Sequence, residues 1–254
     1  MTIEIIKNKI IIGIKNYCKE NNFQDVVIGL SGGIDSALVL VLCCEALGSK
    51  HVHTLMMKTK YTSTQSIELA QKIANLNHVD HKEIDINPIL ETYLKTLPFE
   101  TQNPITEQNL QARIRGVISM AYSNEKNWLL IACSNKSESA MGYCTLYGDT
   151  CGALCPIGDL YKTEVYQLAH LYNKEGKFVI PEEIISREPS AELCENQKDS
   201  DSLPPYPVLD NILKNYIFDN KIPNDEENKI VQKIKNQYNK TAFKRIQMPP
   251  VIPV

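Results

Sequence analysis

Long apolar runs are missing from this 254-residue chain, and with them any segment able to cross a bilayer, which needs about 18–20 consecutive apolar residues. Excess positive charge is missing too. The 27 Lys and Arg stand against 30 Asp and Glu, a formal net charge of −3, so nothing global favours nucleic acid as a partner. Only residues 233–245 form a notably basic stretch. No two cysteines have C-x-x-C spacing, and Cys151 and Cys155 have no matching second pair, which argues against structural zinc or an iron–sulfur cluster. Eight cysteines are too few for a disulfide scaffold in a chain this long, so reduced thiols are expected. A signal peptide's continuous apolar core is also absent. Ile3, Ile6, Ile10, Ile14 and Tyr17 are interleaved with lysines at amphipathic helix spacing, and a cytoplasmic protein is expected.

What is present is ordinary globular composition, 43% hydrophobic and 22% charged, in a chain long enough to bury a sizeable core. Apolar, β-rich runs bounded by turn residues lie at 25–30, 51–57, 81–86 and 128–133, each pair separated by a segment of helical periodicity. The helices are expected at 36–47, 64–76, near 88–95 and at 106–122, the first closing on Gly48. Alternation of this kind predicts an α/β fold: a Rossmann-like, doubly wound parallel sheet with helices on both faces. Residues 134–159 lack periodicity and read as a long cleft-lining loop holding one short helix. Helical spacing resumes at 163–175, and Pro181 opens a further short helix. A rigid Leu203-Pro204-Pro205-Tyr206-Pro207 connector precedes helices expected at 208–218 and 225–238. With no internal repeat or low-complexity tract, residues 1–254 read as one domain: core sheet about 24–135, cleft loop and helical C-terminal additions about 136–254.

The chemistry is concentrated where the first strand ends. Gly29 and Leu30 are followed by Ser31-Gly32-Gly33-Ile34-Asp35-Ser36, so unblocked backbone N–H groups and a helix N-terminus face one point suited to phosphate or pyrophosphate. A plain glycine turn would not call for two hydroxyls and a carboxylate there. The loop lacks the lysine of the Walker P-loop and the G-x-G-x-x-G spacing of dinucleotide-binding folds, which sets kinases and dehydrogenases aside. An acid in a phosphate cradle repels its ligand unless a cation lies between them, so Asp35 is a candidate magnesium ligand, with helix capping as its plainer role.

This loop matches the N-type ATP pyrophosphatases, and nearly the whole chain resembles the NAD synthetase family. The resemblance rests on 108–115 (Gln-Asn-Leu-Gln-Ala-Arg-Ile-Arg), 134–138 (Ser-Asn-Lys-Ser-Glu), 142–149 (Gly-Tyr-Cys-Thr-Leu-Tyr-Gly-Asp), 159–166 (Asp-Leu-Tyr-Lys-Thr-Glu-Val-Tyr), 189–193 (Pro-Ser-Ala-Glu-Leu) and 242–245 (Ala-Phe-Lys-Arg), in order. It implies an adenine nucleotide α-hydrolase-like fold and a two-step amidation. The nicotinate carboxylate of deamido-NAD attacks the α-phosphorus of ATP, releasing pyrophosphate, and ammonia then displaces AMP. A carboxylate is inert to amines whereas a mixed anhydride is not, and a metal with backbone donors stabilises charge on the leaving pyrophosphate.

The same resemblance assigns ATP to Gly29, Leu30, Ser31, Gly32, Gly33, Ile34, Asp35, Ser36, Cys133, Lys162 and Ser190. It gives deamido-NAD to Asn109, Arg113, Phe243 and Lys244, and Mg²⁺ to Asp35 with Glu138. Asp35, Asp149 and Lys162 are the catalytic candidates, Asp149 as the base that frees ammonia from ammonium. Asn109 and Arg113, four apart on one expected helix, share a face; Arg115, roughly 200° further round, is expected to be solvated or paired. A homodimer with sites near its interface is implied by resemblance alone, the first helix's apolar face being either a contributor or a core-packing stripe.

Leu146 and Ala153 stand where some ammonia-dependent synthetases carry a lysine and an acid, and Cys133 where threonine is common. In these features the chain looks more like the synthetase portion of glutamine-dependent enzymes. Only about 24 residues precede the first strand, too few for a glutamine-hydrolysing domain, so free ammonia, or ammonia from a separate glutaminase subunit, is the expected nitrogen source. Alternatives are another N-type pyrophosphatase amidating or thiolating a different substrate, or a non-catalytic nucleotide-binding regulator; the latter would not require Asp35, Glu138 and Lys162 together.

Overall fold

The computed structural model describes residues 1–219, 221–224 and 227–254. Four parallel strands, β1 (Val26–Gly29), β2 (Val52–Lys58), β3 (Asp80–Asp85) and β4 (Leu129–Ile131), lie in the order β3-β2-β1-β4. Val26 pairs with Val52 on one side and Leu129 on the other, and His53 with Asp80. The chain therefore winds outward from β1 through β2 to β3 and then returns to place β4 on the opposite flank of β1. That reversal is the topological switch point, where open α/β sheets hold their ligands at the strands' carboxyl ends.

Helices α1 (Ile3–Glu20), α2 (Ile34–Leu47), α3 (Thr64–Leu76), α4 (Asn87–Thr96) and α5 (Pro104–Lys126) surround the sheet. Strand residues alternate between two cores because side chains alternate across a strand. Val26, Ile28, Val52, Met56, Leu129 and Ile131 face α1, α2 and α3, together with α7 (Lys162–Glu175) and α8 (Glu182–Ser186). Val27, Leu55, Met57 and Leu130 face α4 and α5. With both faces covered, β1 and β4 are continuous apolar runs and β2 is buried except at His53 and Lys58. The edge strand β3 is mostly exposed, with His81 and Ile84 as its half-buried side chains.

The apolar stripe of α1 is resolved in favour of the core: Ile6, Ile10, Ile11 and Ile14 are buried there. Helix α2 is apolar nearly all round and buried from Ala37 to Cys44, as a helix between a sheet and two further helices must be. A third core joins α6 (Lys136–Met141), α9 (Tyr206–Ile212) and α10 (Asn228–Lys240), with α11 (Ala242–Arg245) following. The expected single helix at 208–218 is α-helical only to Ile212 and π-helical from Leu213 to Phe218. Asp225, the expected start of the next helix, lies outside the described residues, and α10 runs from Asn228.

The C-terminal additions also reach the sheet: Leu154 bridges in parallel to Ile131, and Val251 to Cys155. No helix among the described residues is long and apolar enough to cross a membrane.

Candidate functional site

The loop leaving β1 is locked before any ligand arrives. Gly32 has φ +78°, and a Cβ there would stand 2.3 Å from the Ser66 carbonyl oxygen. Only glycine both adopts this conformation readily and fits against α3. The Ser36 hydroxyl donates to the Gly33 carbonyl at 3.0 Å and accepts from the Ser31 N–H at 3.2 Å, while the Ser31 hydroxyl accepts from the Gly33 N–H at 3.3 Å. The two expected hydroxyls thus shape the loop from within. Gly33 is the extended residue ahead of α2, and the first-turn N–H groups of that helix have no intrahelical acceptor. Ser31 is exposed at the mouth of the loop, and Asp35 is half-buried one turn inside.

Across the switch point, β4 runs into α6 through Asn135. Its side-chain oxygen accepts from the Glu138 N–H at 3.0 Å, and its own N–H meets Glu138 Oε2, a reciprocal cap. Asn135 Nδ2 also donates to Asp35 Oδ1 at 2.8 Å. The cap that starts α6 therefore turns Glu138 toward Asp35. Lys162, first residue of α7, completes the arrangement: its Nζ donates to Glu138 Oε1 at 3.0 Å and to Asp35 Oδ2.

The Lys162 side chain is almost wholly buried, whereas both carboxylates keep some access to solvent. Burial acts to discharge the Lys162 ammonium, but Asp35 and Glu138 outweigh it and raise its pKa above the ordinary value. Burial, countered by Lys162 and reinforced by Asp35, pushes Glu138 up to about 7. Two oxygen donors sharing one ammonium leave surplus negative charge in a poorly solvated place. That donor set fits a hard divalent cation such as Mg²⁺, which binds through one or two carboxylates and completes its shell with water and phosphate. Cys133 is half-buried beside this group, its thiol pushed up by burial and by Cys155, Asp35 and Glu138.

A second set of expected residues gathers on the 142–151 loop. Asn109 Oδ1 accepts from the Thr145 hydroxyl at 2.7 Å, Arg113 Nε donates to the Leu146 carbonyl at 3.2 Å, and Asp149 Oδ1 accepts from the Thr145 N–H at 2.7 Å. Lys244 Nζ donates to the carbonyls of Gly142 at 2.8 Å and Cys144 at 2.6 Å, while Phe243 is exposed. Asp149 is exposed as a residue, and desolvation of its carboxyl raises it to about 6 against the backbone bonds, Lys244 and Arg115 that favour its charged form.

Ser190 lies on a third segment. Its hydroxyl donates to the Gln197 carbonyl at 2.5 Å and accepts from the Glu192 N–H at 3.1 Å. That segment is tied to the first loop's neighbour, because Glu192 accepts from the Ser63 and Ser66 hydroxyls at 2.7 and 2.8 Å and from Arg187 at 3.0 Å.

Arg115, expected to be solvated or paired, is paired with a backbone carbonyl. It turns inward to donate to the Met57 carbonyl at 2.9 Å, since the end of β2 lies on that side of α5, and burial lowers it to about 10 against the pull of Glu192 and Asp149. Sequence reasoning also passed over Asn135, although its position three before Glu138 ahead of a short helix was a capping signal. It passed over Gln111, which is fully buried, accepts from the Thr59 hydroxyl at 3.2 Å and donates to the Leu193 carbonyl at 3.0 Å.

Comparison with known proteins points to one family. The family model for NAD synthase matches residues 6–249. The chain is 44% identical over 247 residues to the glutamine-dependent NAD(+) synthetase of Thermotoga maritima, covering 94% of this chain and 43% of that protein. Against the Xanthomonas campestris protein of the same description, it is 50% identical over 212 residues, 82% of this chain and 38% of the relative. The chain thus spans less than half the length of these curated relatives.

Among solved structures, NH3-dependent NAD synthetase from Campylobacter jejuni superposes with TM-score 0.79 at 34% identity over 98% of both chains. NMN synthetase from Francisella tularensis does so with TM-score 0.84 at 27% identity over 96% of both.

Proposed function

The chain belongs to the NAD synthase family, and from that membership we propose that it amidates deamido-NAD to NAD with ATP and ammonia through an adenylated intermediate, releasing pyrophosphate and AMP. One observation carries the reading: the Ser31–Ser36 loop, Asp35, Glu138 and Lys162 meet at the switch point of the sheet. The N–H groups at the α2 N-terminus, with those of the loop not already bonded to Ser31 and Ser36, would hold the β- and γ-phosphates. Asp35 and Glu138 would hold Mg²⁺, which when bound neutralises charge growing on the leaving pyrophosphate. Lys162 supplies a fixed positive charge that needs no reorganisation as the α-phosphorus is attacked. Asn109 and Arg113 would orient the acceptor, with Phe243 and Lys244 at the rim, and Asp149 would take a proton from ammonium so that neutral ammonia attacks the adenylate.

Ammonia as the nitrogen source is supported by the likeness, over 98% of both chains, to the NH3-dependent NAD synthetase of Campylobacter jejuni. A mononucleotide acceptor is the second reading, favoured by the end-to-end likeness to the Francisella NMN synthetase. We also propose a homodimer. Its surface would be the outer stripe of α5, where Arg113, Val117 and Met120 are exposed at helical spacing.

The test is incubation with ATP, Mg²⁺ and ammonium plus either deamido-NAD or nicotinate mononucleotide, following AMP and the amidated product. AMP and NAD from deamido-NAD support the reading; product from the mononucleotide alone moves the assignment to the second acceptor. Asp35→Ala and Lys162→Ala should each lower kcat by about 10²–10³-fold, the scale for removing one charge-stabilising group. Full activity in Asp35→Ala sinks the metal assignment.

A further inference from the structure

Lys162 must be held with its ammonium between two carboxylates, yet it begins a helix whose N-cap residue, Tyr161, makes no side-chain capping bond. Lysine is long and flexible, and holding one rotamer costs side-chain entropy. The residues that hold it come from α9, distant in sequence. Asp210, buried on α9, accepts from the Thr163 N–H at 2.9 Å through Oδ2 and from the Ser137 hydroxyl at 2.5 Å through Oδ1. Ser137, fully buried next to Glu138, in turn accepts from the Lys162 N–H at 2.9 Å. One carboxylate therefore satisfies two otherwise orphaned donors at the start of α7, one directly and one through Ser137. It also fastens α6, which carries Glu138, to α7, which carries Lys162.

A second residue one turn earlier on α9 points the same way. Tyr206 lies four positions before Asp210 and so shares its helix face. Lys162 Nζ stands 5.1 Å from the centroid of its ring, and its hydroxyl donates to Asp199 at 2.7 Å. The ring packs near the Lys162 ammonium with an apolar surface that still attracts a cation.

We propose that α9 is the positioning element of the site: Asp210, relayed by Ser137 and assisted by the Tyr206 ring, fixes where the Lys162 ammonium stands relative to Asp35 and Glu138. This rests on the reading of Lys162 as a group that stabilises charge during adenylation. Asp210, Ser137 and Tyr206 are positioning residues; none needs to touch ATP. Asparagine at 210 keeps one acceptor oxygen but turns the other into a donor, which then faces a donor. Alanine at 137 leaves the Asp210 bond to the Thr163 N–H in place but removes both the acceptor of the Lys162 N–H and the hydroxyl that donates to Asp210.

The experiment measures kcat, KM for both substrates and melting temperature for wild type, Lys162→Ala, Asp210→Asn, Ser137→Ala, the Asp210→Asn/Ser137→Ala double variant, Tyr206→Phe and Tyr206→Leu. Misplacing a catalytic group by about 1 Å can cost 100-fold, so kcat should fall about 10- to 100-fold in Asp210→Asn and Ser137→Ala, with KM for deamido-NAD within about twofold. The double variant should be no worse than the poorer single, as for residues acting through one unit, and Tyr206→Leu should lose more than Tyr206→Phe.

A capping role alone would lower melting temperature and leave kcat at wild-type values well below the transition; that result in Ser137→Ala overturns the inference even if Asp210→Asn does not fold. Loss confined to Lys162→Ala overturns it and leaves the proposed function standing. A wild-type chain that forms no AMP with either acceptor removes both.

Discussion

Asp149 owes its chemistry to where its carboxylate is turned. Bound to the Thr145 N–H and pushed up to about 6 by desolvation, it changes charge near the pH at which an enzyme works. As a general base it acts only when ionised, so amidation should rise with pH through about 6 and fall about tenfold for each unit below. Asp149→Asn should abolish that inflection and lose amidation while ATP–pyrophosphate exchange with deamido-NAD continues, because adenylation would use the separate group around Lys162. Equal loss of both half-reactions in the variant would remove Asp149 from the ammonia step.

The stability sign is opposite to that of an ion-paired carboxylate. A folded-state pKa raised above the ordinary 3.8 means the folded chain holds the proton more tightly, so the contribution of Asp149 to stability declines as pH climbs from about 4 to about 6. Asp149→Asn, which keeps an acceptor without the charge, should therefore melt no lower than wild type at pH 8. A calorimetric scan at pH 4 and pH 8 checks both statements.

At the scale of elements, the β1–α2 loop was legible because its function and its backbone need the same residue. Gly32→Ala tests how tightly they are joined. The left-handed conformation costs an L-residue about 1–2 kcal/mol, and the added Cβ would meet the Ser66 carbonyl at 2.3 Å, so α3 or the loop must move. We expect a lower melting temperature and, well below it, a raised KM for ATP, read by ATP–pyrophosphate exchange. A normal KM would mean that the loop's shape does not matter to ATP.

The strands of the central sheet were legible for a related reason. Covered on both faces, β1 and β4 are unbroken apolar runs, and the observed bounds of all four strands differ from the expected ones only by end residues such as Asp25 and Leu30. The π-helical turn at Leu213–Phe218 gave no local signal, since its sequence is as compatible with an α-helix. Contacts that join distant elements were hidden for a deeper reason. Helical periodicity placed Arg115 away from Arg113, but only the packing of α5 against the end of β2 decides that this direction is inward. Asp210 likewise reads as one acid on a helix until the third core brings α9 against α6 and α7. Glu138, Lys162 and Asn109 were found through the family resemblance, whereas Asp35 followed from the chemistry of its loop.

At the scale of the whole molecule, the two proposed substrate regions are both tied to α5. Its inward side carries Gln111, which touches both the loop after β2 and the Ser190 segment, and Arg115, which pins it to β2. Its outer side carries Arg113, Val117 and Met120 as an exposed stripe. Val117 is 62% exposed, so a glutamate there leaves the fold of a monomer almost untouched, within about 0.5 kcal/mol. On a self-complementary surface, however, it places two like charges in an apolar contact. If α5 is the dimer face, Val117→Glu should convert the chain from dimer to monomer in analytical ultracentrifugation with little change in melting of the monomer itself. Because Arg113 lies on the same stripe as Val117, loss of the second copy should raise KM for deamido-NAD more than KM for ATP. A variant that stays dimeric places the interface elsewhere, and one that becomes monomeric with both KM values unchanged separates assembly from acceptor binding.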